Sequence, residues 1–291
     1  MKITNKYGLP GAIVEAIKND NYTAGKHADI SCTTLIGPPQ IRILNKQYGG
    51  ELEVDASDRI FALMGQAIHA ILERAEKDAL VENRLYMEAN GWTLSGQYDR
   101  MTLRNRTLQD YKVCSVWEVI YGVKPDREAQ LNVLAELAYE NGHTDITGLE
   151  IVAILRDWQK SKAKFDKDYP QAQVQRIPVK LWDRSVRRAY IAERVRLHQE
   201  AEKGRVEPCS ASERWAKDDC YAVMKDGRKS ALRVLPSEED AIAWCESNGH
   251  IDPDGEIIKG ISIEFRQGES TRCESYCDVA QYCPQFKAMK P

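Results

Sequence analysis

Apolar residues between Asp55 and Leu80, in "DASDRIFALMGQAIHAILERAEKDAL", recur at helical spacing: Ile60, Phe61, Met64, Ile68, Ile71 and Leu72. That period predicts an amphipathic helix with Ser57 or Asp58 at its N-cap. His69 and Glu73 stand four apart on it, on or beside the apolar stripe. The period then changes to that of strands in "RLYMEANG", "WTLSGQYDRMTL" and "TLQDYKVCSVWEV", with "RNR" as the turn between the last two. A second helix, "DREAQLNVLAELAYENG", stops at Gly142. "GLEIVAILRDWQK" opens as a buried strand, "KSKAKFDKDYP" reads as a basic loop, and "VQRIPVKLWD" as a further strand. "DRSVRRAYIAERVRLHQEAEKG" is a long amphipathic helix.

Ahead of this series, residues 1–30 read as a short helix and turns, "HADISCTTL" as extended, and "GPPQIRILNKQYGG" as a helix opened by proline and ended by glycines. After it come a hairpin around Asp226-Gly227 in "YAVMKDGRKSALRVL", a helix in "SEEDAIAWCESNG", and a strand in "EIIKGISIEFRQG". The order predicts an α/β fold with a small mixed central sheet flanked by helices over residues 1–205. A small α+β module follows over 206–291.

Composition adds limits. The chain has 291 residues, 43% hydrophobic and 29% charged, with a net charge of −3. That supports a sizeable core and speaks mildly against a uniformly basic nucleic-acid binder, although local patches override totals. No apolar leader with a cleavage site opens the sequence, and no run approaches the ~18 apolar residues of a membrane span. The expectation is a cytoplasmic protein without membrane contact.

Chemistry concentrates in "LSGQYDRMTLRNRTLQDYKV". Residues two apart on a strand share a face, so Asp110 and Lys112 point the same way. Asp99 on the preceding strand comes near Asp110 by cross-strand pairing. Adjacent carboxylates repel unless a cation neutralises them, and hard oxygen donors suit Mg²⁺ or Mn²⁺. Taken singly, a D-x-K pair on a hairpin, a histidine on an apolar helix face or a glutamine on a helix is more often structural than functional.

In combination they form an ordered pattern: G-x-x-x-H on a helix (Gly65, His69), G-x-x-D (Gly96, Asp99), D-x-K (Asp110, Lys112), then Gln130 on the next helix. Over roughly residues 30–200 this resembles the PD-(D/E)xK nuclease superfamily, in its RecB-type and bacteriophage recombination exonuclease branch. The resemblance implies a restriction-endonuclease-like core. It implies His69, Asp99, Asp110 and the Val113 carbonyl as ligands of Mg²⁺ or Mn²⁺, Lys112 as the catalytic lysine, and Gln130 as an organising residue. Glu88 falls where some relatives carry an additional acid. Two departures stand out: the second acid is Asp where many relatives have Glu, and the family's Q-x-x-x-Y helix has Leu134 in place of tyrosine.

Cys273, Cys277 and Cys283 are spaced C-x3-C-x5-C, a spacing that points to metal. A fourth ligand is required: Cys209 is the first choice, then Cys220 and Cys32. The tail resembles the Fe–S staple of RecB-type relatives, which usually reads C-x2-C-x5-C with an upstream cysteine. The expectation is therefore a structural [4Fe–4S] cluster, with Zn²⁺ as its rival.

Basic stretches that could meet phosphates are Lys160, Lys162 and Lys164; Arg184, Arg187 and Arg188; and the hairpin tip with Lys225, Arg228, Lys229 and Arg233. Trp158 is a candidate for base stacking. The expected function is a metal-dependent DNA exonuclease acting on double- or single-stranded ends in recombination or repair. The alternative is a non-catalytic DNA-binding module or adaptor with a structural metal. No P-loop motif occurs, so unwinding would need a partner, and a single-strand annealing protein or helicase is the partner the resemblance suggests.

Overall fold

The structure is a computed structural model that describes residues 1–19, 27–75 and 78–289, the side chain of Glu82 excepted. The chain divides into two compact units, Met1–Glu207 and Pro208–Pro291.

The first unit runs β1 (Lys2–Thr4), α1 (Gly11–Lys18), β2 (Ile30–Ser31), α2 (Cys32–Ile36), α3 (Pro39–Tyr48), β3 (Glu53–Asp55), α4 (Ile60–Ala75), β4 (Ala79–Ala89), β5 (Trp92–Thr102) and β6 (Thr107–Cys114). It continues with α5 (Trp117–Ile120), α6 (Pro125–Glu140), β7 (Gly148–Leu155), α7 (Lys160–Phe165), β8 (Val174–Val179) and α8 (Arg184–Glu202). A six-stranded sheet has the order β2-β5-β6-β7-β8, with β4 also paired to β5. The sheet is mixed. β4–β5, β5–β6 and β7–β8 are antiparallel, whereas β2–β5 and β6–β7 are parallel. Helices flank it, so the fold is α/β with a central mixed sheet.

Helix α6 is the centre of the unit. Pro125 opens it at its first turn, where a missing N–H costs nothing, and Gly142 lies beyond its end at φ +94°. Nearly every residue from Ala129 to Ala138 is buried. Gly96 of β5 explains how closely the helix lies on the sheet. A Cβ there would come within 2.5 Å of Leu137 Cδ1 and 2.7 Å of Leu134 Cδ2. On its far side, buried Glu136 accepts hydrogen bonds from Arg184 Nε (3.0 Å) and Arg187 Nε (3.1 Å) of α8. Arg184 and Arg188 also pair with Glu140. These arginines, candidates for phosphate contact in the sequence, are instead the ion pairs that join α8 to α6.

Four further sequence expectations change. The "HADISCTTL" segment, read as extended, is strand only at Ile30–Ser31 and turns helical from Cys32 to Ile36. Helix α4 forms as its period predicts but buries none of its residues, and Phe61, Met64 and Ile71 stay exposed. The "KSKAKFDKDYP" segment contains the short helix α7 rather than only loop. Two short parallel strands, β1 and β3, were not legible because three residues carry too little pattern.

The second unit holds β9 (Cys220–Lys225), β10 (Arg233–Leu235), α9 (Glu238–Ser247), β11 (Ile261–Arg266), α10 (Thr271–Ser275) and α11 (Pro284–Met289). Its sheet has the order β10-β9-β11 and is antiparallel. Ser237 caps α9 by accepting a hydrogen bond from Asp240 N. Val223, Ala241 and Cys245 form the small core beneath it.

Candidate active site

One edge of β5 is shared by two partners. Ile30–Ser31 of β2 pair with Leu94–Ser95, and Leu108–Gln109 of β6 pair with Met101–Arg100. Between these pairings the strands part, and residues 96–99 lie in the fork. Asp99 therefore bonds across the opening with its side chain. Its Oδ2 accepts from Tyr111 N at 2.6 Å. His69 reaches the same place from α4, with Nδ1 3.3 Å from Asp99 Oδ1 and Nε2 3.2 Å from the Tyr111 carbonyl. An imidazolium, with a proton on each nitrogen, would satisfy both acceptors, whereas a neutral ring satisfies one.

Asp110 is buried on β6, and Lys112 Nζ lies 2.7 Å from its Oδ1 and 2.6 Å from its Oδ2. Burial pushes the Asp110 carboxyl above the usual carboxylate range and nearby Asp99 adds to the rise, while Lys112 and Arg127 oppose it. Cys32, at the start of α2, is fully enclosed. Burial pushes its thiol far up, with Asp110 contributing second, and its Sγ donates to the Gln130 carbonyl at 3.6 Å. The structure thus brings Asp99, Asp110, His69 and Lys112 together, with Gln130 on the adjoining helix, half-buried. Val113 stands in the β6–β7 ladder opposite Ile154. Glu88 accepts from Thr93 Oγ1 near the other end of β5.

Arg127 was missed in the sequence. It favours the charged form of Asp110 and holds Glu118 of α5 at 2.7 Å. Its position one turn before Gln130 on α6 was the available signal, but an arginine in the first turns of a helix is common on solvated surfaces.

Among the described residues, no set of three or more His, Cys, Asp or Glu side chains is gathered closely enough to hold a metal ion. The physical reason at the fork is that both carboxylates already have partners: Lys112 covers Asp110, and the Tyr111 amide and His69 hold Asp99. The donor types nevertheless suit a hard divalent cation: two carboxylates and an imidazole line the fork, and Asp99 adds to the rise that burial gives Asp110.

None of the eight cysteines forms a disulfide. In the second unit Cys209, Cys273, Cys277 and Cys283 are near enough to act on one another. Burial, then Glu213, then Cys283 and Cys273 push the Cys209 thiol up to about 12. Burial chiefly raises Cys273, with Cys283 adding, and chiefly raises Cys277, with Cys273 and Cys283 adding. Cys209, Cys273 and Cys277, raised chiefly by burial and further by neighbouring cysteines, form with Cys283 a donor set suited to zinc or iron, because metal charge is what would make thiolates of buried thiols. Cys220 lies on β9 opposite Arg266 and takes no part in these interactions as an acting charge, and Cys32 belongs to the core of the first unit.

No family model matches the chain, and no curated protein matches it. Among solved structures it is similar to one described as "Crystal structure of SSO0001", at 14% identity and a TM-score of 0.45, over 70% of this chain and 88% of that one. A likeness that low carries no inference about activity.

The proposed phosphate contacts divide. Lys160 and Lys162 are exposed on α7, with Lys162 Nζ 5.9 Å from the Tyr169 ring. Lys225, Arg228 and Lys229 are exposed at the β9–β10 turn of the second unit. Trp158 is not a free stacking surface: its Nε1 donates to Pro170 O at 2.7 Å and its ring packs against the core.

Proposed function

We propose that the chain is a divalent-metal-dependent deoxyribonuclease with a restriction-endonuclease-like core, acting on DNA ends as an exonuclease in recombination or repair. The observation that carries the reading is the convergence of Asp99, Asp110, His69 and Lys112 at the fork between β5 and β6. Mg²⁺ or Mn²⁺ held by Asp99, Asp110 and His69, with the Val113 carbonyl as a further donor, would supply charge compensation and a more acidic water.

The chain's own groups do the rest. Hydrolysis requires a water oxygen to attack phosphorus while the bond to the leaving sugar oxygen breaks and that oxygen gains a proton. Lys112, an ammonium held beside the carboxylates, would orient the attacking water and offset charge developing on the phosphoryl oxygens. His69 touches both the Asp99 carboxylate and the Tyr111 carbonyl; as a metal ligand it would give up one of these contacts and keep the other, so it still ties the strand carrying Asp110 and Lys112 to Asp99. Arg127 contributes a second positive charge beside Asp110.

The thiols of Cys209, Cys273, Cys277 and Cys283 are proposed to hold a structural [4Fe–4S] cluster, zinc being the alternative. The mutual effects among these side chains support that set over one using Cys220 or Cys32. DNA ends are the proposed substrate, and a single-strand annealing protein or helicase the proposed partner.

The test is cleavage of end-labelled linear DNA with Mg²⁺, Mn²⁺ or EDTA, comparing wild type with Lys112→Ala. Shortening that requires the metal and disappears in the variant is expected. A folded Lys112→Ala protein that cuts at the wild-type rate would remove Lys112, and with it the site, from the reading.

A further inference from the structure

The end of β6 that carries Lys112 leads directly into an exposed pair of aromatic rings. Trp117 and Tyr121 stack with centroids 5.5 Å apart and planes 16° from parallel. They are 52% and 81% exposed. A folded chain gains little by stacking two rings in water, so so much uncovered aromatic area beside a candidate site calls for an occupant.

Their position is tied to the carboxylates. Glu118, between the two rings in sequence, is gripped by Arg127 at 2.7 Å, and Arg127 acts on Asp110. Trp117 stands five positions after Lys112, so their Cα atoms lie at most about 18 Å apart. That is about five stacked nucleotides at the 3.4 Å rise of one strand.

A third exposed ring flanks the same end of the sheet. Phe61, 60% exposed on α4, has the Arg156 guanidinium 4.4 Å from its ring centroid. Arg156 follows β7, and its N–H donates to the carbonyl of Cys114, the last residue of β6. Phe61 stands eight residues before His69, about 12 Å along the helix axis. Exposed rings beside an exposed arginine match the chemistry of unpaired nucleotides, whose bases stack and whose phosphates need cations. Arg127 is already held by Glu118, so Arg156 is the cation that favours a strand of phosphates over an apolar protein partner.

We infer that the Trp117–Tyr121 stack, with Phe61 and Arg156, is a base-stacking platform that makes single-stranded DNA the substrate of the adjoining site. This rests on the nuclease reading for the word substrate, but binding can be measured without it. Duplex DNA hides its base faces, so the platform takes only unpaired nucleotides.

The experiment is fluorescence anisotropy of a labelled oligothymidine and of a labelled blunt duplex in EDTA, with wild type, Trp117→Ala, Tyr121→Ala and Trp117→Phe. Each alanine variant should weaken oligothymidine binding by about 5- to 150-fold. Trp117→Phe, which keeps a stacking face, should recover most of that loss, and duplex binding should change far less. Unchanged oligothymidine binding in a folded Trp117→Ala protein would overturn the platform and leave the rings as a protein-docking surface. An equal loss on duplex would overturn it as well. Platform-dependent binding without any metal-dependent cleavage would sustain the platform and remove the nuclease reading. Metal-dependent cleavage with Trp117-independent binding would do the reverse.

Discussion

Gly96→Ala tests whether the site depends on how closely α6 lies on β5. The new Cβ would be 2.5 Å from Leu137 Cδ1, 2.7 Å from Leu134 Cδ2 and 3.3 Å from Cys32 Cβ. Carbon atoms in good contact stand about 3.5–4.0 Å apart, so the leucine methyls must retreat by roughly an ångström. They have nowhere to go: Leu134 is 1% exposed and Leu137 not at all. Overpacking of that kind costs about 1–3 kcal/mol. For a unit of this size it lowers Tm by roughly 2–12 °C. Helix α6 also carries Gln130 and Arg127, and Asp99 follows Gly96 by three residues, so the shift reaches the site. A displacement of about 1 Å can reduce catalysis on the order of a hundredfold. The assay is chemical denaturation together with metal-dependent cleavage, in a cycle with Leu134→Ala. Leu134→Ala alone should cost about 2–5 kcal/mol through the cavity it leaves. In the double variant the added methyl occupies part of that cavity, so the combined loss should fall short of the sum by about 0.5–3 kcal/mol. Strict additivity, or a Gly96→Ala protein of wild-type stability and activity, would refute the close-approach argument.

Two further outcomes are expected. His198 is buried and its Nε2 lies 3.1 Å from the Leu35 carbonyl, and burial lowers its pKa to about 4. The unfolded ring titrates near 6.5, so between those values the unfolded state binds the extra proton and stability falls as the pH is lowered, by up to about 3 kcal/mol. Denaturation at pH 7 and pH 4.5 should show wild type losing more on acidification than His198→Gln, and parallel losses would dismiss the effect. Cys277→Ser should lower thermal stability and the iron or zinc content of anaerobically purified protein while leaving the chemistry of the first unit largely intact; normal melting with full metal content would end the four-thiol proposal.

Much of this molecule was legible one residue at a time. The helical period of α4 and α6, the strand runs of β4 to β8 and the turn at residues 103–106 follow from local preferences that hold whatever surrounds them. The D-x-K spacing placed Asp110 and Lys112 on one face because strand geometry does so everywhere. Burial was less readable. The apolar stripe of α4 predicts a core face, yet the helix covers the sheet only loosely, and nothing in its own sequence says how much of a neighbour it will meet. Arginines 184 and 187 looked like a phosphate-binding face because their carboxylate partner, Glu136, lies 48 and 51 residues away on another helix.

What the chain's order of residues determined by itself was the kind of groups and the elements that bear them: a histidine helix, two aspartate strands, a lysine, a glutamine helix and a thiol-rich tail. Only the tertiary structure decided that β5 changes partners between Ser95 and Arg100, so that the strands part where Asp99 stands and its carboxylate bonds the Tyr111 amide. Only it brought Arg127 to Asp110 and left Trp117 and Tyr121 uncovered beside them. Periodicity records what each residue prefers along its own element. Which elements meet, and which faces remain open, depends on contacts between residues far apart in the chain, and no local pattern encodes those.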